Sequence, residues 1–278
     1  MKDLKDILDH FYRDYDFGER LSHDPIQFPH RYKDPRDIEL VAFISSSLAY
    51  GRVGLFIPVI ESILKKMGKS PYEFIINLEP KKKDRFKEIR YRFNPGEDIF
   101  CLLYVLSLIL QRYGRLENLF KTHYRRDGMK ILNGLKGMVE AMLDIDTSPV
   151  YGKNLRPYGF LQFFPLPQNG SACKRMNLFL RWMVRDRDID FGLWHGIGKD
   201  SLIIPLDTHI ARISRCLGFT KRKSQDWKMA EEITESLKKF DPEDPLKYDF
   251  ALCHHGISRI CDKERCRDCI FGLDKNSK

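Results

Sequence analysis

The chain has 278 residues, 42% of them hydrophobic and 31% charged, a balance that fits a soluble globular protein with a full core in one or two lobes. Its formal net charge of +9 favours a polyanionic partner, nucleic acid ahead of a ribosomal or membrane surface. No apolar run reaches the length of a membrane span and the acidic, amphipathic start is unlike a signal peptide, so the seven cysteines are expected as thiols or metal ligands in a reducing compartment.

In chain order, residues 1–15 carry Leu4, Ile7, Leu8 and Phe11 on one helical face. A Pro-, His- and Asp-rich connector follows over residues 22–36, and Asp34-Pro35 opens a helix whose apolar run, residues 37–50, is expected to be buried. A turn at residues 51–54 leads to a helix over 55–67, and Ser70-Pro71 opens another on the cap-then-proline rule. The basic stretch 80–94, PKKKDRFKEIRYRFN, taken alone, reads as a solvated face and loop before it reads as a surface that tracks phosphates. Helices are expected over 98–113, 116–124 and 128–143, with a loop over 148–158. Two more close the chain, over 226–240 and 246–260. No period-two strand pattern or internal repeat stands out, so the fold class is all-α, with about a dozen helices.

The stretch between these segments carries the chemistry. The turn 165–170, PLPQNG, cannot be regular helix, because two prolines and a glycine interrupt it. Ser171 is then the natural N-cap, with Ala172, Cys173 and Lys174 in the first turn, and Gly170 and Ser171 are candidate phosphate contacts through their backbone. The positive end of a helix disfavours an ammonium, which suits a lysine that must attack as a neutral amine. A surface lysine beside Arg175 is the structural alternative; Arg175, Arg181 and Arg185 add positive charge to this helix. Thirty-three residues after Lys174, Asp207 caps a helix over 208–217 that Gly218 ends. Capping is a common use of aspartate, and it is compatible with taking a proton or stabilising a sugar oxocarbenium ion. His209 is a second candidate there, with a buried structural histidine as its alternative.

The segment PLDTHIARISRCLGF resembles that of the helix-hairpin-helix DNA glycosylase superfamily of the endonuclease III type, in which a V/L-D-T-H/R-V motif carries the catalytic aspartate. The turn and lysine upstream are similar to the hairpin that holds the lysine of bifunctional glycosylase/lyases. The long interval between Lys174 and Asp207 resembles the archaeal 8-oxoguanine glycosylase branch. Through FISSSLAYGR, KRMNLFLRWMVR and GLW, the whole chain also resembles a bacterial family without an assigned function. The superfamily resemblance is strong over residues 37–50 and 165–269 and weak between them.

This resemblance implies a two-lobed, all-α fold with a cleft between the lobes. Residues 37–204 would form a central helical barrel, and residues 1–36 with 205–278 a second lobe built from both chain ends. It implies base excision repair chemistry: Lys174 attacks the anomeric carbon, forms a Schiff base and displaces a damaged base, an oxidised purine by analogy, while Asp207 activates it. The base would be flipped out and stacked, with Trp194, Phe164 and Tyr50 as candidates and core packing as their alternative. Arg52, Lys221, Arg222 and Lys223 are candidate phosphate contacts. The partner is double-stranded DNA, with RNA left open, and the protein is expected as a cytoplasmic monomer, nucleoid-associated when on DNA. A non-catalytic DNA- or RNA-binding protein that kept the fold is the competing reading.

Two departures from the pattern stand out. PLPQNG replaces the usual L-P-G-V-G hairpin. The resemblance would place a [4Fe–4S] cluster on C-x6-C-x2-C-x5-C, but here Cys261, Cys266 and Cys269 supply three positions and Lys275 takes the fourth. Cys253, His254 or His255 could complete a site for zinc or a cluster; a vestigial site with free thiols is the alternative, and the lysine chemistry requires no metal.

Overall fold

Three aspartates start helices in the computed structural model, which describes residues 4–126, 130–257 and 271. Asp34 accepts the Arg36 N–H at 2.8 Å, Asp226 accepts the Met229 N–H at 2.9 Å, and Asp207 accepts two N–H groups. Each satisfies backbone donors that a helix start leaves without an intrahelical partner. The first of the longer helices is α1 (Leu4–Arg13). Five follow: α2 (Pro35–Leu48), α3 (Val53–Met67), α4 (Gly96–Tyr113), α5 (Leu116–Arg126) and α6 (Ile131–Leu143). Four more complete the set: α7 (Lys174–Val184), α8 (Thr208–Cys216), α9 (Trp227–Lys238) and α10 (Asp249–Ile257). Among the described residues there is no β-strand; a single antiparallel bridge joins Tyr91 and Asn94. The protein is therefore all-α. No single described helix is long and apolar enough to cross a membrane.

The chain divides into two compact units, residues 21–166 and residues 1–20 with 167–278. These division points differ from the expected 36/37 and 204/205. The consequence is that residues 167–170 of the PLPQNG turn, Lys174 and Asp207 all fall in the unit that contains both chain ends, while Pro165 and Leu166 end the other unit.

In the 21–166 unit, α2 is buried along nearly its whole length, including two carboxylates that an apolar environment would otherwise penalise. Asp37 accepts the Tyr72 N–H at 2.7 Å. Glu39 accepts the N–H groups of Leu116 and Glu117 at 2.9 and 3.1 Å, capping α5 from a distance in sequence. The end of the basic stretch is a tight turn, Tyr91–Asn94, with Arg92 in the left-handed region at φ 48°. Buried Asn94 anchors this turn: its Nδ2 donates to the Gly159 carbonyl at 2.5 Å and its Oδ1 accepts from the Tyr50 hydroxyl. The turn holds Phe93 at 55% exposure, edge-on to Tyr158 at 65%, with ring centroids 5.7 Å apart.

In the other unit, Leu8 of α1 joins Ile210 and Ile213 of α8, Met229, Ile233 and Leu237 of α9, and Leu252 of α10 in one apolar core. α8 packs against α10. Gly256 allows their approach, since a Cβ there would meet His209 Cβ at 2.8 Å.

Candidate active site

The turn before the lysine is built differently from the simple cap rule. Residues 167–169 form one 3-10 turn and Gly170 takes φ +76°. The helix α7 begins at Lys174, and its N-cap is Cys173, not Ser171. Cys173 sits in the left-handed region at φ 52° and is fully buried, and its N–H donates to Ser171 Oγ at 3.0 Å. Ser171 thus fixes the residue before the helix rather than the helix itself. A buried, left-handed non-glycine residue costs on the order of 1–3 kcal/mol and persists because the surroundings impose it. Burial pushes the Cys173 thiol up to about 12, so it is a packing group and not a nucleophile at neutral pH. The expected place of Lys174 in the first turn is what the structure has.

Asp207 divides its carboxylate between two tasks. Its Oδ1 accepts the N–H groups of His209 and Ile210, each at 2.9 Å, and starts α8. Its Oδ2 lies 3.3 Å from Lys174 Nζ and accepts the Cys253 thiol at 3.5 Å. The Asp207 side chain is 14% exposed and that of Lys174 33%, so the pair is half-buried but open on the lysine side. Burial pushes the Asp207 carboxyl up, but the Lys174 ammonium, the Ile210 N–H and His209 together hold it below the usual carboxylate range. At neutral pH it is a carboxylate in an ion pair with Lys174.

The lysine helix is clamped by a buried ionic cluster. Arg181 and Arg185, expected to add positive charge to this helix, are both 3% exposed and direct that charge onto buried carboxylates. Arg181 pairs with Asp249 at 2.5 Å and Asp190 at 3.3 Å. Arg185 pairs with Asp188, Asp190 and Asp244, each at 2.8 Å. Tyr12 of α1 donates to Asp188 at 2.7 Å, tying the N-terminal helix to the same cluster.

The remaining candidates are dispersed. His209 caps α8 through its backbone, and its ring Nδ1 is buried with no hydrogen-bond partner. Trp194 is buried, edge-on to Phe179 of α7 at 5.3 Å, and lines a cavity of about 330 Å³ with His195 and Gly192. Phe164, in the 21–166 unit, is buried against Phe160 at 5.1 Å. Tyr50, in the same unit, is half-buried with its ring 4.7 Å from Tyr91, and Arg92 lies over it at 5.8 Å. Arg52 is exposed as the residue before α3, Gly170 is exposed, and Arg175 is half-buried. Lys221 and Lys223 are exposed, whereas Arg222 is paired with Asp226 at 2.8 Å. Lys221 and Arg222 line a recess of about 620 Å³ together with Glu231, Glu232 and Glu235, which weakens its pull on a phosphate.

No group of three or more His, Cys, Asp or Glu side chains is placed to hold a metal ion among the described residues. Of the tentative ligand set, Cys253 is turned onto Asp207, and Cys261, Cys266 and Cys269 lie outside the described residues. Cys101, Cys173, Cys216 and Cys253 are not in disulfides. Sequence reasoning did not anticipate three features: Cys253 on Asp207, the Arg181–Asp249 pair, and the exposed Phe93–Tyr158 pair. A family model described as "Protein of unknown function (DUF2400)" matches residues 24–258. No curated protein and no solved structure matches the chain.

Proposed function

We propose that this chain, which belongs to the DUF2400 family, is a DNA repair glycosylase with lyase activity that works through a Lys174 Schiff base. The observation that carries this reading is the 3.3 Å approach of Lys174 Nζ to an Asp207 oxygen that is not used as a helix cap. An amine nucleophile with an ionised carboxylate beside it, fixed on a rigid helix start, is the arrangement such chemistry needs. In the proposed reaction Lys174 passes a proton to Asp207 Oδ2 and its lone pair bonds to C1′ of the target nucleotide. The glycosidic C1′–N bond breaks, and the base leaves with that electron pair and takes the proton from Asp207 Oδ2, which becomes a carboxylate again. The secondary ammonium formed at Lys174 then passes a proton to O4′ as the C1′–O4′ bond breaks, leaving the iminium, and the Asp207 carboxylate offsets its positive charge.

The finer fold assignment, a two-lobed helix-hairpin-helix glycosylase, belongs to the same reading, as does double-stranded DNA as the partner. The net charge of +9 supports a polyanion. The exposed Phe93–Tyr158 pair, beside exposed Arg90 and Arg92, supports contact with bases as well as phosphates. The test is base release and strand cleavage on a panel of duplexes carrying single lesions, with Lys174→Ala and Asp207→Asn beside the wild type. Release that depends on both residues supports the reading. Binding without release on any duplex returns the chain to the class of non-catalytic binding modules, and competition with matched RNA separates DNA from RNA as the ligand.

A further inference from the structure

The helices α7 and α10 are joined to the candidate site by two rungs. The first rung is Lys174, at the start of α7, on Asp207 Oδ2, which also accepts Cys253 of α10. The second is Arg181, two helical turns along the same face of α7, on Asp249, one turn before Cys253 on α10. Two helices that share two such rungs cannot roll or slide independently. Losing the second rung would free the first to widen.

We propose that Asp249 is a positioning residue for the Lys174–Asp207 pair, setting both the register of the lysine helix and the charge that the lysine senses. This rests on the reading of Lys174 and Asp207 as the reacting pair. Asp249 is 2% exposed, so its charge acts across a medium with little water to screen it. The groups that face it are Arg181 of α7, Asp190 in the segment after α7, and Asp207 at the start of α8. Burial pushes the Asp249 carboxyl up to about 6; Arg181 holds it down, and the Asp207 and Asp190 carboxylates add to the rise. Asp249 and Asp207 therefore sense each other's charge, and the lysine paired with Asp207 lies within the same field.

The experiment follows the reactivity of Lys174 in the full-length protein without DNA. Reductive methylation with formaldehyde and cyanoborohydride, read by mass spectrometry of the Lys174 peptide, gives the pH at which the amine becomes reactive. In Asp249→Asn this midpoint falls by about half a pH unit or more, because a carboxylate that favours the ammonium is gone. Asp249→Glu, which keeps the charge, stays nearer the wild type. An unchanged midpoint in a folded Asp249→Asn protein overturns the proposal. If that variant does not fold, the wild type is titrated instead through the ¹³Cε shift of Lys174, assigned by Lys174→Ala. A second inflection at the ionisation of a buried carboxyl supports the coupling, and a single-step titration overturns it. Since neither readout needs catalysis, absence of glycosylase activity would sink the functional reading alone, and an unmoved lysine would sink the positioning role alone.

Discussion

Lys174 Nζ lies 3.3 Å from Asp207 Oδ2, while Oδ1 of the same carboxylate holds the first N–H groups of α8. One side chain thus serves the fold with one oxygen and faces the lysine with the other. This separates two effects that mutation usually confounds. Asp207→Asn keeps an oxygen for the cap, so its stability is expected to stay within about 0.5 kcal/mol of the wild type. Asp207→Ala loses the cap and is expected to cost about 1 kcal/mol more. Both are expected to lower the rate of base release by at least about 100-fold. Urea unfolding and single-turnover assays on the two variants check the split; equal stabilities would show that Oδ1 is not a working cap.

Acid should reveal Asp249. A buried carboxyl whose folded value is raised to about 6 from 3.8 binds its proton more tightly in the native state than in the unfolded chain. Its contribution to stability is therefore greatest at low pH and is lost as pH rises through about 4 to about 6. The difference in unfolding free energy between wild type and Asp249→Asn should accordingly change across that window, shifting in favour of the wild type as pH falls. A difference that is flat from pH 4 to pH 7 would contradict the raised carboxyl.

The junction of α8 and α10 depends on a missing side chain. A Cβ at residue 256 would come within 2.8 Å of His209 Cβ and 3.1 Å of Ile213 Cδ1. Gly256→Ala is expected to push the helices apart at a cost of about 1–3 kcal/mol. Because α10 carries Cys253 to Asp207, the same variant is expected to be slower in base release even where it remains folded, as checked by circular dichroism and single-turnover kinetics.

Phe93, on the turn that Asn94 and Tyr50 anchor, and Tyr158, at the start of a separate short helix, expose large aromatic surfaces edge-on to each other. Removing the rings should spare stability and weaken nucleic-acid affinity, by about 1–3 kcal/mol for each base that stacks. Fluorescence anisotropy with a labelled duplex, at fixed salt, reads this for Phe93→Ala and Tyr158→Ala. Affinity unchanged in both would remove the pair from the binding surface.

Much of this architecture is written in local pattern. The apolar periodicity of α4 and α6 and the caps at Asp34, Asp207 and Asp226 mark helices without outside help. Lys174 and Asp207 were found together because the motifs around them resemble a known family, and the structure brings them within reach. Cys173 escaped because residue type says little about a left-handed backbone outside glycine, asparagine and aspartate, so the cap rule stopped at Ser171. Arg181–Asp249 and Phe93–Tyr158 escaped because each pair is far apart in the chain, and only the packed fold makes them neighbours. In sequence Arg181 reads only as added positive charge, because a single arginine on a basic helix carries no mark of its buried partners.

The most direct test is borohydride trapping on lesion-bearing duplexes, followed by peptide mapping of the reduced adduct. The account predicts a covalent protein–DNA adduct on Lys174, absent in Lys174→Ala and strongly reduced in Asp207→Asn. An adduct that forms undiminished in Lys174→Ala, or maps to another amine, would contradict it.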